Sequence, residues 1–523
     1  MQSQASCALI VLALLSGAAV GAVFQYNVAV ETDKNASEAF CWLPPQAERI
    51  NGAVVGGMTL MEREMARDAT IRKACGDQGL AIVFLKCGLG KVNVQKVLDD
   101  LARVSGFDEL SKAPLLLVGH SAGGPQAKKL AIAAPKRCIA LVQYRGGTPD
   151  GLPPGVPALM MLGQFDEFGG TMRRPDGRET WEGGRDALLR FRAKHKANLA
   201  SVVVEPGAGH FAWSDRNAAY LAMFIRKAAQ ARIDAGTGKV REIDYRSGWL
   251  TDLAIKAPGQ SPPAAYDRYE GDKSQAAWHF DQQIARATVA YHAGGFGKKD
   301  QFIKWSDPYW VDAGARFFFT KLTWVDDGRT LEVHPQYAKV YPSRHKGLGP
   351  KWPDAGKPAG HSRGPIRVKP VSGPIVAVGA NRLRMHYDAL APAGRRARIT
   401  FLAFSAGDDK YRYTEHVGMT PRGFNGLKKG KLQKITFPPI GNIKADSPAI
   451  ELKATSDSGL PVSYYVAFGP AVIESGRLKI SQLPRRAKLP VKVKVVAWQF
   501  GSGLEPLVKT AEPVERTILI EKP

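Results

Sequence analysis

The chain has 523 residues, of which 44% are hydrophobic and 23% charged, a balance normal for globular protein and a length that predicts two to four domains. Its formal net charge of +25 is uneven: Lys and Arg number 29 against 22 Asp and Glu through residue 240, and 44 against 26 beyond it. A basic C-terminal half fits an anionic polysaccharide or a cell surface better than nucleic acid, or is simply a solvated basic surface.

The N-terminus stands apart. Ala8 to Leu15 is apolar but too short to span a bilayer, and small residues follow up to Val20-Gly21-Ala22. This predicts a signal peptide over 1–22 and an exported chain, although no Lys or Arg precedes the run and a buried N-terminal strand is the other reading. No later segment is apolar for long enough to be transmembrane, so no membrane insertion is expected. Removal of Cys7 with the signal leaves Cys41, Cys75, Cys87 and Cys138, which could pair or remain as buried thiols. No Cys-x-x-Cys or clustered Cys/His spacing suggests a metal site.

From residue 24 onward, Phe24–Val30 and Ser37–Leu43 predict a leading hairpin. Strands are then expected at Ile50–Val55, Leu80–Leu85, Leu115–Val118, Cys138–Gln143, Ala158–Leu162 and Ser201–Val204. Helices are expected at Met58–Ala74, Val94–Val104, Ala122–Ala134, Arg185–Ala197 and Asn217–Ile233. Such alternation predicts an α/β fold, a mostly parallel sheet with helices on both faces.

Within it, Gly119-His-Ser-Ala-Gly123 joins a buried strand directly to a helix, which would hold Ser121 on a sharp turn with its hydroxyl exposed. Gly360-His-Ser-Arg-Gly364 has the same pattern, but neither a strand precedes Ser362 nor a helix follows it. A serine hydroxyl is a poor nucleophile unless an imidazole takes its proton and a carboxylate orients the imidazole. Three histidines precede residue 240. His120 lies inside the turn, with its side chain aimed away from Ser121, and His195 lies in an Arg- and Lys-rich helix that reads as surface. His210 follows the last strand and Pro206-Gly-Ala-Gly209, at the carboxyl edge of the sheet where catalytic groups gather. Asp166 is the first carboxylate past the Ala158–Leu162 strand, with Glu167 and Asp176 as competitors.

The order Ser121, Asp166, His210, with about 45 residues between successive members, resembles the α/β-hydrolase superfamily over residues 24–235, on the strength of Gly119-His-Ser-Ala-Gly123, Gly163-Gln-Phe-Asp166 and Gly207-Ala-Gly-His210. The resemblance implies a serine esterase needing no cofactor. It also implies an oxyanion hole formed by the N–H of Ala122 and one from Gly56-Gly57-Met58, with the register open between Met58 and Gly57. About fifteen residues separate Gln143 from the acid strand, too few for an inserted helical cap, so an open cleft and a large or polymeric ester substrate are expected, with Trp181 and the glycines around Phe168 as a partial wall.

Beyond Asp234 the alternation stops. Asp272–Ala290 reads as one amphipathic helix, and Trp249, Trp278, Trp305, Trp310 and Trp324 as core or as a carbohydrate face. Residues 340–365 read as a linker. Evenly spaced strand-like runs at Ile375–Val378, Ala397–Phe404 and Tyr411–Val417 predict β-sandwich structure, and the alternating runs past Ile435 resemble bacterial Ig-like repeats over 433–523. The expected organisation is 1–22 signal peptide, 23–235 hydrolase domain, 236–345 Trp-rich segment packed on it, 346–432 β-rich module and 433–523 Ig-like sandwich. The chemistry is expected to need the first domain alone. Candidate substrates are polysaccharide-linked acetyl or feruloyl esters, with polyester depolymerisation and peptide hydrolysis as alternatives, and a surface binding protein on a hydrolase scaffold as the reading from another class.

Overall fold

The computed structural model describes residues 23–32, 36–57, 61–166, 179–234, 236–305, 311–312, 318–319, 323–341, 354, 356–390, 398–420 and 426–523. The signal peptide, Met58, Glu167, Phe168, Asp176 and Trp310 fall outside the described residues.

Eight strands form the organising sheet: β1 Tyr26–Glu31, β2 Ala36–Trp42, β3 Gly52–Gly57, β4 Leu80–Leu85, β5 Leu115–His120, β6 Cys138–Tyr144, β7 Ala158–Gly163 and β8 Ala200–Glu205, in the order β1-β2-β4-β3-β5-β6-β7-β8. The leading hairpin is antiparallel and also pairs antiparallel with β4. Every pairing from β4 to β8 is parallel. Parallel strands buried on both faces must be apolar at successive positions, and these are. Val54, Ile82, Leu116, Val142, Leu159 and Val203 face one way, against Met61, Ile71, Leu221 and Ile225. These come from helices α1 (Met61–Arg67), α2 (Ala69–Asp77) and α6 (Asp215–Arg232). Their neighbours Val55, Val83, Leu117, Leu141, Met160 and Val202 face the other way, against Leu98, Leu101, Ala127 and Leu188. These belong to α3 (Val94–Ser105), α4 (Gly123–Ala133) and α5 (Thr180–Lys194).

Two helix expectations are corrected. Met58–Ala74 is not one helix within the described residues, because Asp68 has extended backbone and its side chain accepts the N–H groups of Thr70 and Ile71, ending α1 and capping α2. Asp272–Ala290 is not one helix either. Ala277–His279 pairs antiparallel with Trp249–Thr251, and Asp281 then caps α7 (Gln282–Ala293) through the N–H of Ile284. Trp278 and Trp305 are buried core, as the packing reading required. Helix α7 lies against β8, where Val204 N–H donates to Nε2 of His292 at 3.0 Å. Burial lowers the His292 pKa to about 3, which keeps that nitrogen an acceptor.

The β-rich part divides differently from the sequence reading. Strands at Thr323–Val325 and Thr330–Glu332 share a sheet with Ile375–Ala377 and Arg382–Met385, and Phe318–Phe319 pairs with the Thr414–Met419 strand. The boundary drawn at residue 345 therefore falls inside two sheets, since strand pairing leaves no trace in local composition. Past residue 433, a four-stranded and a three-stranded sheet enclose Ile435, Phe437, Leu478, Val493, Val495, Ile518 and Ile520. Both β-rich parts rest on the α/β part: Arg63 donates to Val371 O, Gly469 N–H to Phe24 O and Lys488 N–H to Ser105 O. Among the described residues no helix is long and apolar enough to cross a membrane.

Candidate active site

Strand β5 ends in Gly119-His120, and Ser121 follows with φ at 52°. Left-handed backbone costs a non-glycine residue on the order of 1–3 kcal/mol and persists only where its surroundings enforce it. Here Ser121 N–H donates to Tyr144 O at the end of β6 at 2.9 Å, and Ser121 O accepts from Gly124 N–H at 3.0 Å as α4 begins. A Cβ on Gly119 would stand 2.2 Å from Gly123 O, so strand and helix meet through bare backbone. Ser121 is left half-buried and Ala122 exposed.

Asp166 follows β7 and His210 follows β8, at the same carboxyl edge of the parallel sheet as Ser121. His210 Nδ1 lies 2.9 and 3.0 Å from the two carboxylate oxygens of Asp166, and both side chains are buried. A carboxylate only accepts, so Nδ1 carries a proton, and in the neutral ring the lone pair then lies on Nε2. That tautomer is the one a general base requires.

Sequence reasoning passed over the groups that brace this pair. Glu62 in α1 is buried and accepts His120 N–H at 2.6 Å, fixing the turn from below. His120 is fully buried with its ring 4.7 Å from that of His210, and its Nε2–H donates to His210 O at 3.1 Å. Burial, and then the adjacent His210, hold the His120 pKa well below the ordinary value, so it is a neutral strut. Arg145, also left-handed at φ 52°, pairs with Glu205 at 2.7 Å with both side chains 1% exposed. Burial pushes the Glu205 carboxyl up, but Arg145 and then Arg216 hold it below the usual carboxylate range. Glu205 further accepts from Asn217 Nδ2 and Ser214 Oγ, which ties the end of β8 to the start of α6. His210 hangs between these two anchored points.

The remaining sequence candidates are placed as follows. Ala122 stands at the first turn of α4, and Gly57 ends β3, where a Cβ would lie 2.6 Å from Leu89 N. His195 is exposed at the end of α5. Trp181 is no cleft wall, because it is 4% exposed within the core and its Nε1–H donates to Glu179. Cys41, Cys75 and Cys138 are buried thiols outside any disulfide, and burial pushes Cys75 and Cys138 up to about 12. Among the described residues no group of three or more His, Cys, Asp or Glu side chains is placed to hold a metal ion.

The strand order, the parallel pairings and the left-handed serine between β5 and α4 define an α/β-hydrolase fold followed by antiparallel β-sheets. No protein-family model matches the chain, and a comparison with curated proteins finds no match. Solved structures similar to its α/β part include the esterase domain of a Rhodothermus marinus protein, at 14% identity over 39% of this chain and 97% of that one with a TM-score of 0.28. Est1E from Butyrivibrio proteoclasticus is similar at 14% identity over 38% of this chain and 96% of that one, TM-score 0.28. An S-formylglutathione hydrolase from Agrobacterium tumefaciens gives 14%, 39%, 94% and 0.29 in the same terms. The fold assignment rests on strand order and turn geometry, not on these likenesses.

Proposed function

We propose that the protein is a serine hydrolase of carboxylic esters. The observation that carries this reading is the left-handed Ser121 at the end of β5, on the same sheet edge as a buried His210–Asp166 pair in which Nδ1 faces the carboxylate and Nε2 is turned away from it. In this reading Ser121 Oγ attacks the ester carbonyl while His210 Nε2 takes its proton. The N–H of Ala122 and one from Gly57 or Met58 receive the oxyanion, His210 returns the proton to the leaving alcohol, and water activated by His210 releases the acid. Asp166 holds the tautomer and offsets the imidazolium charge.

We extend the reading to an exported enzyme acting on polysaccharide-linked acetyl or feruloyl esters, with the β-rich modules, the last of them Ig-like, as spacers or docking units. The support is the basic excess beyond residue 240 and the short β6–β7 connection at residues 145–157, which leaves no room for a helical cap. The test is labelling by a fluorophosphonate, with release of p-nitrophenol from p-nitrophenyl acetate and of acetate from acetylated xylan. Absence of labelling would leave a binding scaffold, and turnover of polyhydroxybutyrate but not xylan would move the substrate to polyesters.

A further inference from the structure

The loop that presents His210 is Pro206-Gly-Ala-Gly209, and it is held from two sides. From within the α/β part, Phe165 N–H donates to Ala208 O at 2.8 Å and Gly207 N–H to Gln164 Oε1 at 2.8 Å. From outside comes a strand of the β-rich part, Thr414–Met419, preceded by Arg412 and Tyr413. Gly207 has φ at 72°, and a Cβ there would lie 1.6 Å from Tyr413 O, so the two backbones press together. Arg412 donates to the same Gln164 Oε1 that accepts from Gly207. Glu415, 2% exposed, accepts the N–H of Gly209 on Oε1 at 2.8 Å and the hydroxyl of Tyr413 on Oε2 at 2.7 Å.

We propose that Glu415 is a positioning residue for the general base: its carboxylate fixes the Gly209 peptide, and through it the ring of His210, although it lies 206 residues further along the chain. The inference rests on the reading of His210 as that base. The Gly209 N–H belongs to the Ala208–Gly209 peptide, one peptide before His210, so holding it anchors the chain at the residue from which the His210 backbone departs. A loop with three small or unbranched residues in four has little stiffness of its own. A buried carboxylate is a strong acceptor for a peptide N–H, and no local pairing supplies this bond. A displacement of about 1 Å at a catalytic group costs about a hundredfold in rate, so a residue that only orients the base can govern kcat.

The experiment uses the full chain and saturation kinetics on p-nitrophenyl acetate. Glu415→Met fills the site but offers no oxygen, and Glu415→Gln keeps an oxygen for Gly209 N–H. Glu415→Met is expected to lower kcat about 10- to 100-fold with KM within about twofold, and Glu415→Gln to restore kcat to within about threefold of the wild type. A kcat for Glu415→Met within about twofold of the wild type, whatever its melting temperature, overturns the inference, as does a Glu415→Gln variant as slow as Glu415→Met. If Glu415→Met yields no folded protein, Glu415→Asp withdraws the acceptor by one methylene while keeping the charge; the same kcat loss is expected, and an unchanged kcat overturns the idea. Ser121→Ala separates this from the parent reading. A wild type inactive on the ester, or activity that survives Ser121→Ala, removes the proposed function itself and this inference with it, whereas failure of the Glu415 series alone leaves the hydrolase standing.

Discussion

Two turns in this chain read Gly-His-Ser-x-Gly, and they share almost nothing else. At Gly119–Gly123 the serine is left-handed and half-buried between a strand and a helix, and the histidine before it packs against His210. At Gly360–Gly364 the serine is 1% exposed: its hydroxyl bonds with those of Tyr337 and Ser405, its N–H donates to Gln301, and His361 stacks on Tyr337 with ring centroids 4.1 Å apart. One pattern aims a hydroxyl outward and the other consumes it in packing. What separates them is the element on either side: Ser121, at φ 52°, stands where β5 runs directly into α4, and Ser362 has neither a strand before it nor a helix after it.

The largest effect expected is on turnover. Ser121→Ala should reduce ester hydrolysis about a millionfold, as loss of a triad nucleophile does, while leaving the melting transition in place. Asp166→Asn should follow at about a thousand- to ten-thousandfold in kcat, since an amide in place of the carboxylate no longer selects the Nδ1–H tautomer. Equal loss of activity from Ser121→Ala and Ser362→Ala would erase the contrast between the two turns.

Next are the flanking glycines. A Cβ at Gly119 meets the backbone oxygen of Gly123 at 2.2 Å, which cannot move without parting β5 from α4. At Gly360 the obstacle is the Tyr411 hydroxyl at 2.0 Å, the far end of a side chain that can swing away. Gly119→Ala should therefore cost about 3 kcal/mol or more and yield little folded protein, and Gly360→Ala about 1 kcal/mol, both read from chemical denaturation.

Acid offers a third contrast, because the histidine of the first turn belongs to a buried neutral set. His279 and His292 are both lowered to about 3 by burial, and His120 is lowered as well. An unfolded histidine titrates near 6.5, so between pH 6.5 and 3 the unfolded chain binds more protons than the folded one. Stability from these residues is fully present above pH 6.5 and falls as the pH drops through that window, on the order of 2 kcal/mol for each of His279 and His292 by pH 5. A melting temperature unchanged from pH 7 to 5 would show that these rings are solvated.

These tests also mark how far the sequence could be read. Strands β3 to β8, the serine turn and the Asp166–His210 pair were legible because each lies in a contiguous apolar run or one short loop past it. Glu62, Arg145 and Glu415 were not, since their partners His120, Glu205 and Gly209 stand 58, 60 and 206 residues away and periodicity carries no record of such pairing. The same blindness produced the boundary at 345, which falls inside two sheets, and hid the bond by which Glu415 reaches the loop of His210. In the helix misread over Asp272–Ala290 a signal was present, since Asp281 is a good N-cap directly before Gln282.

The smallest effect expected is at Ser362 itself. Its hydroxyl is shared between Tyr337 Oη at 2.9 Å and Ser405 Oγ at 3.3 Å, and Tyr337 Oη also donates to Gly364 O, so the three hydroxyls form a closed buried cluster. Ser362→Ala removes one member, but Tyr337 and Ser405 keep each other as partners at 2.7 Å, so no hydroxyl of the three is stranded. The cost should be that of one net hydrogen bond, about 1 kcal/mol, and not that of an orphaned polar group. Activity should stay within about twofold of the wild type, because the Ser362 hydroxyl is taken up by Tyr337 and Ser405 in the β-rich part. Ser405→Ala should cost about the same, while Tyr337→Phe, which removes the hub, should cost more than either; if all three substitutions proved equal, the cluster would be three independent contacts and Ser362 no more than a surface serine covered by chance.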